Sequence, residues 1–342
     1  ARPYLEVTGN PLMTTPKSFT LDLDTVPTLG TMTRLGGPAQ PRPTPGALES
    51  AGGLERAPRV TPPEHFRTRQ GYQPDFLDDF AVPAPRCGTE GRRDLAELAD
   101  GSTLLHYQHF SLAMSKSRKI AVFTAVNIDG SKAVKITRGT DKWALDGRIP
   151  IEFQIGEEIY EDNDLDRGHL VKREDPNWGT KAVATIANAD TFHFTNCSPQ
   201  MHAMNAITWV GLESYILKNA KIWKERVNVF TGPVFGENDL TYRGIKIPLA
   251  FWKVIAFLSD SGRPSATAYM VDQERELSSL EAAFGRYKTY QRSIRYIEQI
   301  TKLDFGRLKK YDGYTNEEAK GGVPKGKPRL ESVIESLDDV MI

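Results

Sequence analysis

Cysteine is almost absent: the 342 residues hold only Cys87 and Cys197. That excludes a disulfide framework and a clustered-cysteine zinc site, so reduced thiols are the expectation. Long apolar runs are also lacking. No stretch approaches the roughly 20 residues a bilayer-spanning helix needs. The opening Ala1-Arg2-Pro3-Tyr4 carries no apolar signal-peptide core. A cytoplasmic setting with no membrane partner is the expectation, although Ala1 is compatible with a removed Met or a cleaved leader. Neither charge is in excess, 44 basic residues standing against 44 acidic. A chain that grips a polyanion by bulk charge normally shows a basic surplus. Any such contact here must come from a local cleft, which Lys132, Lys135, Arg138, Lys142 and Arg148 are placed to line.

Residues 1–70 differ in composition from the rest of the chain. From Gly36 to Pro63 the chain is rich in Pro, Gly, Ala and Ser with little periodic hydrophobicity. Such a stretch buries too little apolar surface to offset chain entropy, so 1–70 reads as an arm or linker, with one short strand possible between Phe19 and Leu29. Globular patterning begins at Gly71 and is expected to continue to about 320, with 321–342 as a tail. Ile120–Ile128, Val227–Phe235, Phe251–Leu258 and Ala266–Val271 are β-branched and aromatic runs that predict strands. Asn205–Lys221, Glu276–Tyr290 and Arg295–Leu303 carry helical patterns. No internal repeat is visible. The expected fold class is α+β, one domain with a large core.

The densest chemistry lies in Asp166-Arg167-Gly168-His169. Hydrolysing a phosphodiester takes a base to activate water, a cation to hold the phosphate and usually a metal. His169 and Arg167 supply the first two types of group. Alone, this is also what a surface turn with an ion pair looks like. Downstream, Thr195-Asn196-Cys197-Ser198-Pro199-Gln200 precedes Asn205, Trp209 and Glu213, spaced four apart and so on one face of a helix. Ser198-Pro199 fits the N-cap and first residue of that helix. Asn196, Asn205 and Glu213 offer hard oxygen donors of the kind Mg²⁺ prefers; Trp209 reads as packing. A zinc hydrolase fits poorly, since His106 and His109 have no matching third ligand.

These segments, in this order, resemble the DNA/RNA non-specific endonucleases, the ββα-metal nucleases of the endonuclease G type. The resemblance covers roughly residues 70–310, and Val229–Phe235, Ile247-Pro248 and Phe251-Trp252-Lys253 extend it. It implies a central antiparallel sheet flanked by helices. It also implies Mg²⁺-dependent cleavage of double- and single-stranded DNA and of RNA, leaving 5′-phosphates, with Mn²⁺ as a possible substitute. Carried over by position, His169 would be the general base, Asn196 the direct metal ligand and Glu213 a partner of the metal's waters. Arg167 would contact the phosphate, Asp166 completes the motif, and Asn205 would help position metal waters or the histidine. An upstream arginine that steadies the leaving group is expected at Arg138, with Arg148 the alternative. A homodimer is a further expectation, as is restraint by the N-terminal arm until a protease or regulatory partner acts on it. The other class is a nucleic-acid-binding or interaction module on the same fold without turnover, against which the intact motif set argues.

Overall fold

A computed structural model describes residues 58–202, 225–259, 261–273, 289–313 and 332–333. The helix expected over Asn205–Lys221, most of that over Glu276–Tyr290, the possible strand at Phe19–Leu29 and the arm as far as residue 57 lie outside the described residues. In chain order the described strands are β1 (Val60–Thr61), β2 (Arg86–Cys87), β3 (Leu105–Tyr107), β4 (Phe110–Met114), β5 (Ala121–Asp129), β6 (Leu145–Asp146), β7 (Leu165–His169) and β8 (Cys197–Met201). They continue as β9 (Arg226–Val234), β10 (Leu240–Tyr242), β11 (Ile245–Ile247), β12 (Ala250–Leu258), β13 (Pro264–Asp272), β14 (Thr289–Arg292), β15 (Leu303–Asp304) and β16 (Ser332–Val333).

Eight of these strands form one antiparallel sheet in the order β16-β14-β13-β12-β9-β5-β4-β3. The central strands β5, β9 and β12 are nearly continuous β-branched and aromatic runs because both of their faces are covered. Period-two alternation splits their side chains between two cores. Phe251, Ile255, Val126 and Val229 go to one face, while Trp252, Val254, Phe123 and Phe230 go to the other. The second face is closed by the helix Ile294–Thr301, through Ile294 and Ile297. The first face receives Leu170 and Val171, fully buried at the end of β7. That contact fixes the Asp166–His169 strand to the scaffold. The chain is thus α+β with a central antiparallel sheet flanked by helices. Among the described residues no helix is long and apolar enough to cross a membrane.

Several boundaries differ from the sequence reading. Ser198-Pro199 does not open a helix: both residues lie inside β8, where Pro199 stands opposite Arg167. A proline is tolerated in a two-stranded ribbon because its missing N–H can face away from the partner strand. Tyr290, placed at the end of a helical pattern, belongs to β14. Residues 58–70, grouped by composition with the arm, belong to the body, and the compact unit runs from Arg56 to Ile342. β1 pairs in parallel with β6, Phe66 is buried against Tyr107 and His193, and Arg69 Nε donates to Asp190 at 2.7 Å. Ser332 and Val333, counted with the tail, pair with β14 at the sheet edge.

Phe66 also lies under the Arg148 guanidinium, 3.7 Å from the ring centroid. Phe66→Ala removes this aromatic anchor and is expected to cost about 3–5 kcal/mol. Correspondingly, a chain starting at Gly71 should melt well below one starting at Pro58. Equal melting temperatures for the two truncations in a thermal scan would show that the 58–70 segment contributes nothing.

Candidate active site

β7 and β8 pair antiparallel, with Asp166 opposite Gln200, Gly168 opposite Ser198 and His169 opposite Cys197. Alternation along β7 therefore divides the motif. Arg167 and His169 share one face; Asp166 and Gly168 take the other. On the first face the His169 ring sits between Trp143, 4.8 Å away centroid to centroid, and Phe192, at 5.2 Å. Its Nε2 is enclosed and has no hydrogen-bond partner among the described residues. Burial in this aromatic cage holds the imidazole down to a pKa of about 4, with Asp141 opposing and Arg138 and Arg173 reinforcing the shift. His169 is therefore neutral at neutral pH, with a ring nitrogen able to accept a proton.

Arg167 Nε donates to Glu157 Oε2 at 3.0 Å, and the guanidinium packs on Tyr160. It is half-buried and already paired, so engaging a phosphate means exchanging one anion for another. Asp166 turns to the opposite face, 3.0 Å from His202 Nδ1. Asp166 and His169, three residues apart in the motif, thus do not form a base and its orienting carboxylate, because strand residues an odd number apart face opposite ways.

Arg138 and Arg148 separate cleanly. Arg138 is exposed in the loop before Trp143 and pairs only with Asp141 among the described residues, close enough to bear on His169. Arg148 is buried against Asp146, donates to the His106 carbonyl and packs on Phe66 and Tyr107. Of the two, only Arg138 is exposed.

Asn196 differs most from its expected part. It is fully buried; its Oδ1 accepts from Val171 N at 2.9 Å, and its Nδ2 donates to Val171 O at 3.0 Å and Thr191 O at 3.1 Å. The amide clasps the chain two residues beyond His169, and its oxygen is engaged by a backbone N–H. As placed, Asn196 is a fastening, not a metal ligand. Its neighbour Thr195 is held by the Tyr107 hydroxyl at 2.6 Å, and Tyr107 also donates to Asp146. No group of three or more His, Cys, Asp or Glu residues among the described residues is arranged to hold a metal. The described residues therefore do not by themselves fit one, and Asn205 and Glu213 lie outside them.

Gly168 has a reason unrelated to backbone freedom. A Cβ there would overlap the Gln200 side chain at Oε1 and Cδ. Gln200 is fully buried across the glycine, so it has nowhere to retreat. Gly168→Ala is expected to cost about 1–3 kcal/mol through overpacking. Adding Gln200→Ala should restore part of that loss in urea unfolding. Additive losses in the double variant would show that the two residues do not compete for space.

The remaining sequence candidates have packing roles. His109 stacks on Trp178 at 3.4 Å and His106 lies 2.8 Å from Ser111 Oγ, so neither waits for zinc. Cys197 is buried, 3.0 Å from the Tyr160 hydroxyl, and burial pushes its thiol up to about 12. Both cysteines are free. Trp143, Phe192 and Glu157 were not assigned from sequence, and Gln200 stood there only as the end of the Thr195–Gln200 segment.

The chain is similar to several known proteins. An uncharacterized protein of Sinorhizobium fredii, y4fB, is 43% identical over 243 residues, 66% of this chain and 36% of that protein. A nuclease of Nostoc sp. is 23% identical over 218 residues, 61% of this chain and 75% of that one. Mitochondrial endonuclease G of Bos taurus is 28% identical over 124 residues, 33% of this chain and 40% of its own length. The matched region thus spans well under half of y4fB and of endonuclease G. The profile of the DNA/RNA non-specific endonucleases, a family generally dependent on divalent metals, matches residues 93–312. With more than half of its length matched, the chain belongs to the DNA/RNA non-specific endonuclease family.

Proposed function

We propose that the chain is a divalent-metal-dependent endonuclease that cleaves DNA and RNA without sequence preference. The observation that carries this reading is His169: an enclosed, unpartnered Nε2 on a neutral imidazole, on the strand face it shares with Arg167 and in the field of Arg138. A neutral imidazole takes a proton from a water aimed at phosphorus. Arg167, released from Glu157, is the bidentate donor for a phosphate oxygen. Arg138 stands ready to steady the charge that develops on the leaving oxygen. Asn196 fastens the chain just beyond β7, and the β7–β8 pairing sets the histidine and arginine on one face together.

A Mg²⁺ ion, or Mn²⁺ in its place, would supply charge neutralisation at the phosphate when bound. Because the Asn196 oxygen is committed to Val171, Asn205 and Glu213 are the donors this reading assigns to it. Asp166 acts from the other face through His202 and the strand rather than on substrate. The Pro/Gly-rich segment 1–57 is the proposed restraint, relieved by a protease or regulatory partner. A homodimer, products with 5′-phosphates and a cytoplasmic setting complete the reading.

Supercoiled plasmid incubated with Mg²⁺ or with chelator tests it. Full-length protein and a chain starting at Pro58 are compared, since a start at Gly71 would remove Phe66. Metal-dependent nicking by either is the expected result, and faster nicking by the shorter chain identifies 1–57 as inhibitory. A folded chain that retains plasmid without cutting it would overturn the enzyme reading in favour of a binding module.

A further inference from the structure

Beside the His169 cage, and sharing its Phe192 wall, lies a cavity of about 480 Å³. It is bounded by the 136–142 loop, the Arg59–His65 segment and the helix Lys181–Asp190. Arg59, Arg138, Lys142 and Arg173 line it against a single lining carboxylate, Asp141. In a chain whose total charge is balanced, this is a local concentration of one sign. Arg173 is built into the floor: its Nη1 donates to Ile136 O at 3.3 Å and to Asn188 Oδ1 at 3.0 Å, tying the loop to the helix. Arg59 and Lys142 are exposed, and no side-chain hydrogen bond or ion pair holds either among the described residues. Like charges kept close without partners repel, and an arriving anion relieves that cost. The volume falls within the range of about 300–1,000 Å³ usual for ligand sites, enough for a nucleotide-sized group.

We infer that this cavity is a phosphate-binding subsite, in which Arg59, Lys142 and Arg173 hold the nucleic-acid strand where it leaves the His169 centre. The inference deepens the proposed function and rests on it. It also accounts for how a chain without basic surplus holds a polyanion: the cations are gathered at one wall of the site. Single-stranded backbone is the chemistry that fits best, because the subsite is a nucleotide-sized recess lined by cations rather than a broad face.

Equilibrium binding of a fluorescein-labelled single-stranded phosphorothioate oligonucleotide, followed by anisotropy in chelator between about 50 and 200 mM salt, tests the subsite without turnover. In the Arg59→Ala/Lys142→Ala chain the slope of log affinity against log salt should flatten by about 1.4, the value for two lost single-strand phosphate contacts. Arg307→Ala/Lys310→Ala, which removes two exposed cations outside the cavity, should leave the slope unchanged. Equal flattening in both variants, no change in the first, or no binding by the parent protein would overturn the inference. A parent that binds with the expected slope but fails to nick plasmid in Mg²⁺ would leave the subsite standing and remove only the nuclease reading, so the two fail separately.

Discussion

His169→Ala is expected to lower metal-dependent cleavage by about 10²–10⁴-fold, the usual weight of a positioned general base. Alanine also empties the cage between Trp143 and Phe192, so His169→Gln, which keeps much of the volume, is the companion variant. If the imidazole acts as a base, both lose activity to a similar extent while glutamine keeps the melting temperature. Activity retained in a folded His169→Gln chain would remove the histidine from the mechanism. The low pKa adds a second signature. Since the folded protein protonates His169 only near pH 4, the acidic limb of the free protein's rate profile should lie well below the ordinary histidine value of about 6.5.

Stability follows the same titration. Between about pH 6.5 and 4 the unfolded chain binds a proton at this position that the folded chain refuses. Stability is therefore unaffected above 6.5, falls as the pH drops through this window, and stops falling near 4. The full loss is on the order of 3 kcal/mol. The difference in unfolding free energy between parent and His169→Gln, measured by urea at neutral and acidic pH, isolates this contribution. A difference that stays constant with pH would show that His169 titrates normally.

Asn196→Ala should destabilise the fold rather than merely weaken metal binding. It leaves Val171 N–H and the carbonyls of Val171 and Thr191 buried without their partner, at about 1–3 kcal/mol for each group left unsatisfied. A total of about 3 kcal/mol or more corresponds to roughly 6–12 °C in a domain of this size. Asn196→Asp, nearly identical in shape, replaces the donor with an oxygen facing two carbonyls and should be no better. Asn205→Ala, on the proposed function, should weaken Mg²⁺ binding in calorimetric titration. The opposite pattern, a thermally normal Asn196→Ala chain that no longer binds metal, would return Asn196 to the coordination sphere.

The contrast between Asn196 and His169 shows what local sequence could reveal. The large sheet was legible because β5, β9, β12 and β13 are β-branched runs bounded by turn residues, and their expected limits fall within two residues of the observed ones. The helix Ile294–Thr301 was legible for the matching reason, an apolar stripe at helical spacing after the Ser293 cap. Ser198-Pro199 misled because a serine followed by proline is a helix-start signal only where the backbone is free, and here β7 captures it. Composition likewise drew 58–70 into the arm, since β1 is only two residues long and Phe66 is a single apolar anchor among polar neighbours.

By itself the sequence determined the fold class, the order of the motif segments and the residue types able to move a proton or hold a phosphate. These are properties of side-chain chemistry and of patterns that repeat within a few residues. Only the tertiary structure decided that Asp166 faces away from His169, that Arg148 is buried while Arg138 is exposed, and that Asn196 is a clasp. It alone gathered Arg59, Lys142 and Arg173 around one cavity in a chain of balanced charge. Each of those outcomes depends on which distant partner completes a burial or a hydrogen bond, and such pairings are set by packing across the whole sheet.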